Sequence, residues 1–91
     1  MRDNNIELFL LIIGFLPDEA NDDSLQYEFD VPIEKTQAVI NSLNWKDLYA
    51  ESDGEQLLSP EQVQEISRLT GQLIPVHLDI FIGVRSRYGQ L

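Results

Sequence analysis

Hydrophobic positions change period several times along this chain, and each change predicts an element. From Ile6 to Phe15 the sequence is apolar on both parities, interrupted only by Glu7 and Gly14. Such a run reads as a central strand covered on both sides, and its β-branched and aromatic content with Gly14 near the end favours strand over buried helix. Leu16 to Ser24 is a turn-rich connection. Strict alternation follows, with Leu25, Tyr27, Phe29 and Val31 on one side and Gln26, Glu28 and Asp30 on the other. That pattern predicts a half-exposed strand, most simply the antiparallel partner of the first, and Pro32 stops it.

From Ile33 to Leu43 the period becomes helical. Ile33, Thr36, Val39, Ile40 and Leu43 share one face, Pro32 suits the start, and Asn44 supplies an end. Trp45 to Gln56 has no clear period, although Trp45, Leu48 and Tyr49 could pack inward, and Asp53-Gly54 marks a turn. Ser59-Pro60-Glu61-Gln62 is the sharpest local signal. It offers a Ser N-cap, Pro in the first turn and Gln at the capping-box position, with Leu58 placed to staple onto Val63. Val63, Ile66 and Leu69 continue the helix face, and Gly71 can end it with a positive φ. A last strand is expected from Val76 to Arg85, with Val76, Leu78, Ile80, Ile82 and Val84 on one side, followed by a frayed tail from Ser86 to Leu91.

The predicted order is strand, strand, helix, helix, strand. It assembles most simply into an α+β two-layer sandwich: a three-stranded sheet in the order 2-1-3, first strand central, with both helices on one face. The direction of the last strand stays open at this level. One domain, 1–91, accounts for the whole chain. Two helices leave the second apolar side of the first strand without a cover. The acidic loop, a second copy of the chain in a homodimer, or a partner protein could each provide it.

Composition narrows the function classes. The chain carries 16 acids and 6 bases for a net charge of −10. That balance argues against direct nucleic-acid binding, which needs clustered Lys and Arg, and against an anionic membrane surface. It favours a basic protein partner. Cysteine is absent, so disulfides, thiolate metal sites and cysteine nucleophiles are excluded. The apolar run is about half the length of a transmembrane helix, and Met1 to Asn5 gives no positively charged leader, so a soluble, cytoplasmic protein is expected.

Catalytic chemistry finds little to work with. His77 is the only histidine; Asp79 on the same strand face could orient it, but no serine has a nucleophile's context. His77 therefore reads as a surface strand residue, and no catalytic group is expected. The stretch from Asp18 to Asp23 is rich in oxygen ligands but lacks the spacing of a calcium loop, so no metal and no cofactor are expected.

Where the charge lies says more than its sum. Residues 1–65 hold 15 acids and 3 bases, while residues 66–91 hold one acid and three arginines. A net charge of −10 on 91 residues is above the range of about 2–8 usual for a small soluble domain. Self-repulsion at this density opposes folding, which points to a use for it. The acids concentrate in two loops, with Asp18, Glu19, Asp22 and Asp23 in the first and Asp47, Glu51, Asp53 and Glu55 in the second. Trp45 and Tyr49 stand beside the second loop as candidate anchors for a basic protein. Trp45 could equally be a core plug closing the first helix.

These elements resemble a family of small bacterial immunity proteins associated with bacteriocins and contact-dependent growth inhibition. The resemblance rests on Ile12-Ile13-Gly14-Phe15 ending the first strand, the acidic turn, and the alternating Leu25 to Asp30. It continues through Leu57-Leu58-Ser59-Pro60-Glu61-Gln62 at the second helix and Leu78-Asp79-Ile80-Phe81-Ile82 in the last strand. It implies a non-enzymatic protein that binds and neutralises one cognate toxin domain, often a basic nuclease, in a 1:1 complex. An acidic mimic of DNA that inhibits a defence nuclease or other DNA-binding protein is the competing expectation. It needs carboxylates spaced like phosphates over a long face, and only Glu28 and Asp30 give a regular strand-spaced pair.

Overall fold

Ten residues of β1 (Ile6–Phe15) pair antiparallel with ten residues of β4 (Asp79–Tyr88), from Ile6 opposite Tyr88 to Phe15 opposite Asp79. This long ladder is the spine of the molecule, seen in a computed structural model that describes residues 6–17, 23–48 and 54–88. Around it stand β2 (Leu25–Asp30), α1 (Ile33–Ser42), β3 (Glu55–Leu57) and α2 (Pro60–Thr70). The fold is α+β, with β1 central as expected and the last strand beside it. The sheet has four strands rather than three, all antiparallel neighbours, in the order β2-β1-β4-β3.

The additional strand, β3, pairs Glu55, Gln56 and Leu57 with Gly83, Ile82 and Phe81. Three residues are too few to show a period, so pairing with β4 defines this strand rather than its own pattern. The last strand is also displaced from the expected Val76–Arg85. Val76 and His77 are exposed and precede it, and Ser86 to Tyr88 pair with Leu8 to Ile6 instead of fraying. Its length is set by the ten residues of β1 that need a partner.

One side of the sheet holds the core. Leu10 and Ile12 of β1 and Ile80, Ile82 and Val84 of β4 point to the helices, where they bury Val39, Ile40, Val63 and Ile66. Both helices therefore cover the same face. The first helix reaches this core only from its second turn onward, and Ile33 at its first position is 86% exposed, against the expectation from its spacing. It ends in a Schellman arrangement: Trp45 N–H donates to the Ile40 carbonyl, Asn44 N–H to that of Asn41, and Asn44 takes a φ of 61°.

The second helix starts as its sequence predicts. Ser59 Oγ accepts from Gln62 N–H at 3.2 Å while the Gln62 side chain accepts from Ser59 N–H at 2.8 Å, and Leu58 and Val63 are both buried. Gly71 closes it in the left-handed region at φ 73°, its N–H donating to the Ser67 carbonyl. Among the described residues no helix is long and apolar enough to cross a membrane.

Candidate binding surface

The sequence nominated ten residues for an acidic docking surface. Asp18, Glu19, Asp22, Tyr49, Glu51 and Asp53 lie outside the described residues. Asp23 is exposed just ahead of β2, and Asp47 is exposed in the connection after α1. Glu55 sits in β3 and forms an ion pair with Arg85, so part of its charge is neutralised within the sheet. Trp45 is half-buried against the helix-side core, and its indole N–H donates to Gln56 Oε1 at 3.2 Å. That geometry gives Trp45 a packing role, joining the end of α1 to the edge strand. His77 lies in the turn before β4 rather than on the strand beside Asp79.

The more informative surface is the side of the sheet that faces away from the helices. Strand alternation puts Phe9, Leu11, Ile13 and Phe15 of β1 there, next to Phe81 of β4 and Leu57 of β3. Ile13 is 8% exposed yet stands outside the helix-side core cluster. Phe15 and Phe81 meet edge to face with ring centroids 6.0 Å apart. A register shift between Gly14 and Phe15 sets Leu25 opposite Phe15. Leu25 was expected on the same side as Tyr27 and Phe29; the bulge turns it over, and it is 49% exposed.

Charged residues border this apolar strip. Glu28 and Asp30 project from β2, opposite Ile13 and Leu11. Arg87 lies with its guanidinium 4.1 Å from the centre of the Phe9 ring and within 3.4 Å of both Glu7 and Asp30. Across the sheet, Arg85 meets Glu55 above Gly83, where a Cβ would stand 2.8 Å from Glu55 Cγ and 3.0 Å from Arg85 Nη1. Glycine at 83 thus leaves room for that ion pair to lie over the strand.

The three arginines of the C-terminal part are all engaged in this way. Arg85 and Arg87 pair on the sheet, and Arg68 pairs with Glu65 on the surface of α2. The Arg68 guanidinium holds the Glu65 carboxyl below the usual carboxylate range, chiefly by their hydrogen bond, and Glu65 in turn raises Arg68. What the sequence shows as a positively charged C-terminal third is therefore not a free basic patch.

A groove of about 460 Å³ lies between the first turn of α2 and the segment leading into β4, lined in part by Leu58, Val63, Val76, Leu78 and Asp79. Its polar side chains Ser59 and Gln62 are already committed to the helix cap, and Asp79 is the one charged group lining it. Among the described residues no three His, Asp or Glu side chains gather in a way that could hold a metal ion. Comparison with protein-family models, with curated proteins and with solved structures finds no match for this chain.

Proposed function

We propose that this chain is a stoichiometric inhibitor of the immunity-protein kind, which binds one basic toxin domain, most simply a nuclease, and holds it inactive in a 1:1 complex. The observation that carries the reading is the state of the charges. The net charge is −10, and each of Arg68, Arg85 and Arg87 already faces a carboxylate of the same chain. The surviving field is negative, and Asp23 and Glu28 are exposed within it. A field of one sign raises the encounter rate with a partner of opposite sign and suppresses approach to phosphate backbones.

A basic toxin domain supplies that opposite sign, because a nuclease surface must itself attract phosphates. The inhibitor gains twice from this arrangement. Long-range attraction shortens the time before capture, and apolar contact at close range slows release. No group of the inhibitor has to react.

Co-expression with the protein encoded beside it in the genome tests the reading. Restored growth, together with a 1:1 complex by light scattering after gel filtration, is the expected result. A toxic neighbour that this chain neither protects against nor binds would contradict it.

A further inference from the structure

We infer that the basic partner docks on the open face of the sheet, with its apolar groups on the strip of Phe9, Leu11, Phe15, Phe81, Leu25 and Leu57 and its Lys and Arg side chains on the bordering carboxylates. The inference rests on the inhibitor reading and deepens it, because it moves the contact from the two acidic loops to the sheet.

Two properties of this face select the occupant. The first is its apolar character. A sheet that carries aromatic and aliphatic side chains on both faces is built to be covered twice, and α1 and α2 cover only one side. Leu57 is 57% and Leu25 49% exposed at opposite edges of the strip, so the apolar surface extends across the width of the sheet. The second property is charge. Among the described residues Glu7, Glu28, Asp30 and Glu55 stand on this face against Arg85 and Arg87, a net of −2.

Among the described residues Glu28 has no basic partner. A partner with an apolar centre and a basic rim satisfies both requirements at once. A second copy of this chain satisfies only the first, since it would bring another −10 against the same carboxylates. The occupant is thus a basic protein and not a dimer mate.

Three substitutions separate this surface from net charge and from the rest of the molecule. Leu57→Asp places a carboxylate at an exposed strip position and makes the chain more acidic. Glu28→Lys reverses one bordering charge. Glu34→Lys makes the same change in net charge on the exposed side of α1, away from the sheet face. Affinity is measured by calorimetry against the purified protein encoded beside this chain, carried as a catalytically inactive variant, after circular dichroism confirms that each inhibitor variant is folded.

Leu57→Asp and Glu28→Lys are each expected to weaken binding by about tenfold or more, and Glu34→Lys by less than about threefold. Wild-type binding that Leu57→Asp and Glu28→Lys leave unchanged overturns the docking surface while the inhibitor reading stands. Equal losses from Glu28→Lys and Glu34→Lys also overturn it, because net charge alone then explains them. Absence of wild-type binding removes the inhibitor reading itself, and this inference with it. Sedimentation of the chain alone is expected to show a monomer; a dimer broken by Leu57→Asp would give the face to a second copy and overturn the proposal.

Discussion

Trp45 and Gln56 are joined by a hydrogen bond of 3.2 Å from the indole N–H to the side-chain carbonyl. The Schellman ending of α1 aims the first of these residues, and β3 carries the second on the helix side of the sheet. The bond therefore ties a helix end to a strand only three residues long.

Trp45→Phe keeps most of the ring packing and removes the donor. A partly buried carbonyl then loses its partner, which costs about 1 kcal/mol. Urea unfolding followed by circular dichroism is expected to show that loss. Amide exchange at Gln56 and Leu57 is expected to quicken more than exchange in β1. An unchanged midpoint with unchanged exchange would mean that β3 is held by its pairing with β4 alone.

Gly14 sits at a close approach between the sheet and the core. A Cβ there would stand 2.9 Å from Ile80 Cδ1, 3.0 Å from Leu78 Cδ1 and 3.2 Å from Tyr27 Cβ. All three neighbours belong to the packed layer between sheet and helices, so Gly14→Ala overpacks it and is expected to destabilise the fold by about 1–3 kcal/mol. Thermal unfolding measures this directly, and a variant as stable as the parent would show slack in the core at that point.

Ser59→Ala removes the acceptor for Gln62 N–H at the start of α2 and one half of a reciprocal cap. A loss of about 1 kcal/mol in chemical denaturation is expected. Ser59→Asp retains an acceptor and is expected to recover most of it. Equal losses from both variants would assign the effect to something other than the cap.

The elements with the longest periods were the most legible. β1, β2, α1 and α2 follow from alternation, helical spacing and cap residues, all of which are local. β3 was hidden because Glu55-Gln56-Leu57 has no pattern of its own and follows an acidic turn; its identity comes from Phe81, Ile82 and Gly83, more than twenty residues away. The span of β4 is not legible locally for a related reason. Its alternation continues smoothly from Val76, but β1 ends at Phe15, opposite Asp79, so Leu78 has no β1 partner and the strand begins at Asp79.

The same contrast holds for the candidate surface. The second apolar side of β1 was visible in the sequence as a face lacking a cover. What could not be read locally was its border. Glu7, Asp30 and Arg87 come together from three strands, and Arg87 belongs to a terminal stretch expected to fray. Leu25 joined the strip only through a bulge, which alternation does not announce.

The Glu65 carboxyl is held below its ordinary range by Arg68. A carboxylate whose folded-state pKa is lowered adds stability above its unfolded pKa, and that contribution is lost as pH falls through the folded value. Both side chains are solvent-exposed, so the effect on unfolding is expected to be small and confined to the acid limb. A carbon-detected NMR titration is the sensitive measurement. In Arg68→Ala the Glu65 midpoint is expected to rise toward the ordinary carboxylate value, and an unmoved midpoint would show that the pair does not persist in solution.

Capture of a basic protein by this acidic one is measured most directly by its association rate. Stopped-flow mixing with an inactive variant of the protein encoded beside this chain, followed by the fluorescence of a dye attached to that protein, reads this rate. Between about 50 mM and about 300 mM salt the rate constant is expected to fall by about tenfold or more, while the dissociation rate changes little. A rate independent of salt would contradict the account, because the charge of −10 would then have no part in finding the partner.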